Sequence, residues 1–216
     1  MKKLIFISTI IVFASFIFSC NKNKEEAYYQ FTQLDDQKLL TYTEGQVLNF
    51  KNQIDDEWSF TIAAVHLNLK TPYTKGMGIL SQYFYYDEKI IALVDSKMDK
   101  FFNIIFRKLP INIELAKENV YKKYPSSLYA TIQYMQFWNS LEDATIDFEQ
   151  PKIEMTINGK TFSNVFVLAS GSNSIIENPQ PNGEILIRDV NVIYYDEIEG
   201  IIGFDDLNGN EWRIIE

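Results

Sequence analysis

The side chains that could do chemistry in this sequence are few and scattered. There is one cysteine, Cys20, and one histidine, His66. A thiolate can attack carbon or bind metal, and an imidazole is the usual base near neutral pH. Zinc asks for three or four ligands, drawn largely from His and Cys. A Ser-His-Asp triad would have to use His66 as its base. His66 lies in Thr61-Ile62-Ala63-Ala64-Val65-His66-Leu67, which reads as a strand interior, and no Gly-x-Ser-x-Gly elbow is present. With no cysteine after Cys20, the rest of the chain has no disulfide, thiolate metal site or thiol nucleophile.

Carboxylates are plentiful. A glycoside hydrolase would need two of them converging at about 5 to 9 Å. Asp55-Asp56 and Asp205-Asp206 read more simply as turn residues. Asp205, Asp206, Asn208 and Glu211 offer the oxygens that calcium prefers, without the loop of an EF-hand, so they are read as a metal site or as a solvated turn. Gly200-Ile201-Ile202-Gly203 has a Gly-x-x-Gly spacing but lies between strands and beside acids, without the lysines and helices of an RNA-binding loop. No catalytic residue and no cofactor is assigned.

The placement of Cys20 is the most informative feature. Met1-Lys2-Lys3 is followed by about fifteen mostly apolar residues, which is the layout of a signal peptide. The run is short for a transmembrane helix, which needs roughly 20. A Lys-Lys pair, in place of twin arginine, favours the general secretion route. Ile17-Phe18-Ser19-Cys20 closes the run and resembles a lipobox, the site where bacterial lipoprotein signal peptides are cut. Ile17 and Ser19 match the aliphatic and small positions; Phe18 is bulkier than usual there. The resemblance implies that Cys20 becomes the new N-terminus and carries palmitate-type acyl chains. A conventional secretory cut near Ser19 and an uncleaved anchor helix are the alternatives. One acyl chain holds a protein only marginally, whereas two or three hold it far longer.

The expected organisation is a signal peptide over 1–19, a lipidated Cys20 with a flexible tether over 20–27, and a single domain over 28–216. Asn21 is not the aspartate that retains enterobacterial lipoproteins in the inner membrane, so the outer membrane is favoured. Lys24-Glu25-Glu26 resembles the export signal of surface lipoproteins in Bacteroidota; a solvated linker is the alternative. Loss of Lys2 and Lys3 with the signal peptide moves the formal charge from −9 to −11. Such an acidic domain argues against nucleic acid as a partner and against an electrostatic hold on anionic lipid. The expected partner is the membrane, through the lipid on Cys20; no ligand or protein partner is legible.

The body is rich in Ile, Val, Tyr, Phe and Thr, in runs broken by Asn, Gly, Asp and Pro. Strands are expected at 46–51, 57–68, 82–86, 89–94, 101–106, 128–137, 152–157, 161–169, 184–195, 200–204 and 211–215. A helix is expected over 113–123 and a turn around 34–40. The fold class is mainly β: an antiparallel curved sheet, half-barrel or barrel, with one or two short helices. In 57–68 the apolar side changes from Trp58, Phe60 and Ile62 to Val65, Leu67 and Leu69, which suits a bulge.

Two Asn-Gly pairs set registers. A two-residue turn at Asn158-Gly159 brings Met155 opposite Phe162, on a side shared with Ile153 and Ile157. The same turn at Asn208-Gly209 would put Asp206 opposite Glu211, an unfavourable like-charge pair. A type I turn with Gly209 left-handed instead faces Phe204 with Trp212 and Ile202 with Ile214.

Residues 157–167, Tyr194-Tyr195 leading into Gly200-Ile201-Ile202-Gly203-Phe204, and Asp206-Leu207-Asn208-Gly209-Asn210-Glu211-Trp212 resemble a pattern found in uncharacterised outer-membrane lipoproteins of Bacteroidota. The resemblance implies the compartment and a β fold, and no activity. Three functions stay open: a non-catalytic binding or interaction module, a carrier of a lipid or other apolar ligand in a half-barrel, and a glycan-binding or glycan-active protein. The last draws on an aromatic content of 15% and on Tyr83-Phe84-Tyr85-Tyr86.

Cys20→Ala should abolish labelling by an alkyne fatty acid, and persistent labelling would remove the anchor reading. Changing Lys24, Glu25 and Glu26 to alanine should leave labelling intact and move the protein from the outer face of the outer membrane to the periplasmic face. Protease shaving of intact cells reads that change. A wild-type protein that resists shaving until lysis would show that it faces the periplasm.

Overall fold

Strands form where β-branched and aromatic residues cluster. The computed structural model describes residues 25–74, 82–95, 101–134, 144–171, 173–179, 183 and 185–215. Their order is β1 (Tyr28–Tyr29), α1 (Gln33–Asp36), β2 (Val47–Lys51), β3 (Glu57–Thr74), β4 (Gln82–Asp95), β5 (Phe101–Pro110) and α2 (Ile113–Glu118). Then come β6 (Ser126–Tyr134), β7 (Ala144–Asp147), β8 (Ile153–Ile157), β9 (Lys160–Ala169), β10 (Ile176–Pro179) and β11 (Ile185–Arg188). The chain closes with β12 (Val190–Asp196), β13 (Gly200–Asp206) and β14 (Glu211–Ile215).

Twelve of the strands form one sheet, ordered β7-β6-β5-β4-β3-β2-β14-β13-β12-β9-β8, with β1 added in parallel to β4. The sheet is open and strongly curled, a half-barrel. β10 and β11 make a separate two-stranded ribbon.

Several expected elements differ in extent, each for a tertiary reason. The runs at 82–86 and 89–94 are one strand, because the acids between them are buried and bonded. Asp87 accepts from the Tyr28 hydroxyl and the Phe31 amide, and Glu88 pairs with Arg107 at 2.7 Å. β4 meets β5 from Glu88 onward, and β1 fills the same side opposite Tyr85 and Tyr86. The run at 184–195 divides at Asp189, with β11 joining the small ribbon and β12 the large sheet. The helix expected over 113–123 ends at Glu118; beyond it the Val120 carbonyl accepts from Ala27. Ala27, taken as tether in the sequence, is thus already held by the domain and buried.

The curl has a visible cause in β3. Its register with β4 slips between Ile62 and Ala64, where the sequence changes its apolar side. Trp58, Phe60 and Ile62 reach the interior before the slip and Val65 reaches it after. Leu67 and Leu69 do not follow and stay exposed.

The two Asn-Gly turns behave differently, as expected. Asn158 (φ 50°) and Gly159 (φ 84°) are both left-handed, and Met155 faces Phe162. A bulge then shifts Ile153 opposite Val165, leaving it 48% exposed, so Ile157 and Phe162 carry the buried side. At the C-terminal hairpin only Gly209 is left-handed (φ 85°), and Phe204 faces Trp212. The pairing runs from Asp205–Glu211 to Gly203–Arg213 and does not reach Ile202 and Ile214.

The interior is aromatic. Trp58 lies 5.5 Å from Phe60, 5.2 Å from Phe204 and 5.1 Å from Trp212, measured between ring centroids. Phe148, just past β7, packs edge-on at 5.7 Å against Phe166 of β9. Strands near opposite ends of the sheet order therefore meet through side chains.

Residues 31–42 form a strap that ties β4 and β5 to the residues just after β12. Thr32 and Asp35 form a capping box at α1, and Asp35 is ion-paired to Lys108 of β5 at 2.9 Å with both side chains buried. Leu40 enters the core, and Lys89 of β4 donates to its carbonyl at 2.6 Å. Lys38 bonds Glu197, and the Tyr42 hydroxyl donates to the Glu199 carbonyl at 2.6 Å, both beyond β12.

Trp212 is 7% exposed and stacked on Phe204 at 5.9 Å. Trp212→Ala should lower unfolding stability by about 3–5 kcal/mol, the range for large aromatic truncations in cores. A denaturant titration that loses well under 1 kcal/mol would contradict this assignment of the core.

Candidate functional site

Cys20 and Lys24 lie outside the described residues. Glu25 is exposed and Glu26 half-buried, just ahead of β1. His66 is exposed on β3, opposite Ile90. Asp55 is left-handed (φ 68°) in the β2–β3 turn and bonds Lys51 at 2.9 Å, the turn role expected for it.

The oxygens at the C-terminal turn are directed to protein donors. Asp206 accepts from the amides of Asn208 (2.9 Å) and Asn210 (3.0 Å), from Asn210 Nδ2 (2.8 Å) and from Trp212 Nε1 (3.2 Å). Asp205 instead pairs with Arg213 at 2.7 Å and accepts from the Tyr194 hydroxyl at 2.7 Å. Burial, with the Asp205 bond and charge, pushes the Tyr194 phenol up to about 12, so it stays a donor. Asn208 reaches Asp189, and Glu211 reaches Arg213. The four candidate calcium ligands do not converge. Among the described residues no three His, Cys, Asp or Glu side chains gather as a metal site.

The aromatic strand is also engaged. Phe84 is fully buried, edge-on to Tyr29 and stacked on Tyr73 at 4.5 Å. Lys70 covers the Tyr85 ring and Lys117 the Tyr73 ring, at 4.9 and 5.8 Å. A sugar stacking there would first have to displace these cations.

A groove of about 480 Å³ opens where the β8–β9 hairpin leans on the outside of the wall. Its apolar lining is Val47 and Leu48 of β2, Ile214 and Ile215 of β14, and Ile157 and Phe162 of the hairpin. Gln46, Asn158 and the Lys160–Glu199 ion pair (3.0 Å) add polar groups. That volume falls in the usual range for small-molecule sites, which runs from about 300 to 1,000 Å³.

Local packing fixes the walls of this groove. Asn158 Nδ2 donates to the Ile214 carbonyl at 3.1 Å and pins the hairpin tip to β14. Beneath the tip, Ile157, Phe162, Val165 and Ile202 form a cluster on the other face of the sheet from the main core. Glu199 is held by the Tyr42 hydroxyl bond, and burial pushes the Tyr42 phenol up, which keeps its proton in place. Gly200 is left-handed (φ 82°), and a Cβ there would sit 2.2 Å from the Tyr42 hydroxyl. At Gly203 a Cβ would meet the Trp212 carbonyl at 2.6 Å. Close packing thus accounts for the Gly-x-x-Gly spacing.

This groove is not legible in the sequence. The alternation at Asn158-Gly159 marks a hairpin with one apolar side. That β14 ends beneath its tip, beside β2, depends on contacts between distant parts of the chain. Comparison of the chain with protein-family models, with curated proteins and with solved structures finds no match.

Proposed function

We propose that this chain is a lipid-anchored outer-membrane protein, held by Cys20, whose domain is a non-catalytic binding module with its ligand seat in the wall groove. The observation that carries this reading is a contrast within the half-barrel. The described interior holds the domain's own rings packed on one another, whereas the groove is open and offers apolar surface beside amides and one ion pair. Such a seat suits a ligand with an apolar body and hydrogen-bonding ends. The compartment rests on the Ile17-Ser19-Cys20 match, and exposure at the cell surface on Lys24-Glu25-Glu26.

Among the described residues, the packing of Trp58 on Phe60, Phe204 and Trp212 weighs against a carrier that encloses a lipid at that point of the barrel. Lys70 over Tyr85 of the aromatic strand, and Lys117 over Tyr73 of the neighbouring β3, weigh against a sugar platform there. The separation of Asp205 from Asp206, each held by different donors, weighs against paired acid–base work at that turn.

A thermal-shift screen of the full-length protein against peptides, glycans and fatty acids tests the proposal. A true ligand at 100 times its Kd should stabilise the fold by about 2.7 kcal/mol. Val47→Trp, which fills the groove from a half-exposed strand position, should abolish that shift and leave the ligand-free melting temperature nearly unchanged. A shift that survives the substitution, or chemical turnover of the ligand, would overturn the assignment.

A further inference from the structure

We propose that the lobe formed by residues 111–124 seats on the bilayer and fixes which face of the domain meets it. This rests on the anchor reading above, since it starts from lipid on Cys20.

The lobe lies where the tether enters the fold. The Ala27 amide donates to the Val120 carbonyl at 2.7 Å, and the Tyr124 amide donates to the Tyr29 hydroxyl at 3.3 Å. On its inner side the lobe is packed, with Ala116 2% exposed and Ile113 and Tyr124 against Tyr29 and Phe84. On its outer side, Ile111 is 63%, Leu115 43% and Tyr121 53% exposed. Lys122 and Lys123 are exposed beside them. Of the two acids, Glu114 is paired with Lys117 at 2.6 Å, and Glu118 is exposed. Aliphatic side chains, a tyrosine and long lysines suit a headgroup boundary, where rings and methylenes are buried and amines stay wet.

The tether selects the bilayer as occupant. From Cys20 to Ala27 the chain spans at most about 25 Å when fully extended. A domain of roughly 190 residues has a radius of gyration near 16 Å, so it is about 40 Å across and some 65 Å around half its girth. The tether cannot reach around to the far side. The face beside Ala27 therefore stays closest to the membrane, and the exposed apolar residues of the lobe lie on it.

The full-length acylated protein in phosphatidylethanolamine–phosphatidylglycerol vesicles tests this. Acylation occupies the sulfur of Cys20, so an introduced cysteine is the single free thiol. A polarity-sensitive dye is attached through Leu115→Cys. Ile198→Cys, in the β12–β13 turn and 67% exposed, supplies an equally apolar reference. Seating predicts a blue-shifted dye at 115, severalfold less quenched by aqueous iodide than at 198. Adding Ile111→Ser and Tyr121→Ser should restore quenching at 115 without changing the circular dichroism. Equal quenching at 115 and 198, in protein whose mass includes the acyl chains, would overturn the proposal alone. Absence of acyl mass would overturn it together with the anchor reading.

Discussion

The burial of Trp58 among Phe60, Phe204 and Trp212 is the contact on which the rest of the fold depends. These four rings come from β3, β13 and β14, and Phe50 of β2 joins them 5.2 Å from Phe204. They fill the concave side where the last strand of the chain is inserted between β13 and β2. Each large ring contributes on the order of 1.5–3 kcal/mol by leaving water, and edge-on partners add further. The slip in β3 bends the wall around them, and the bent wall then brings Phe148 against Phe166.

The strap of residues 31–42 joins distant strands of the half-barrel through charged and apolar groups together. The Asp35–Lys108 pair is buried, so its attraction is offset by lost hydration. Its contribution is better described as fixing where the strap lies than as adding stability. Removing one partner would be costly, because the other would remain buried and uncompensated. Glu197 plays a similar part nearer water, meeting Lys38 of the strap and Lys152 ahead of β8. Lys38 and Lys152 also lie over the rings of Phe148 and Phe166. The same two cations thus tie the strap to the seam where the ends of the sheet meet.

The sequence showed local features well and distant ones poorly. Both Asn-Gly registers were legible because turn chemistry and like-charge repulsion act within about ten residues. The change of side in β3 was legible from alternation alone. The joining of 82–86 with 89–94 was not, because Asp87 and Glu88 look like a break until Tyr28 and Arg107 arrive from elsewhere. The division at Asp189 and the early end of α2 have the same origin, as does the exposure of Leu67 and Leu69. The groove was least legible of all, since its walls come from β2, the β8–β9 hairpin and β14. The readings of Cys20 and Lys24 rest on sequence alone, because both lie outside the described residues.

The pairing of β14 with β2 also governs the order in which the chain can fold. The Glu211 backbone amide donates to Gln53 Oε1 across 158 positions, and Ile214 lies opposite Phe50. Contacts of such sequence separation form slowly, because the intervening loop must close before they are rewarded. Strands β3 to β6 are joined in sequence order and can collapse early. The aromatic centre cannot form until the final strand arrives. On the export reading proposed above, the aromatic centre would close only after the mature chain had crossed the membrane, which leaves the polypeptide open, and so translocation-competent, until β14 can pair.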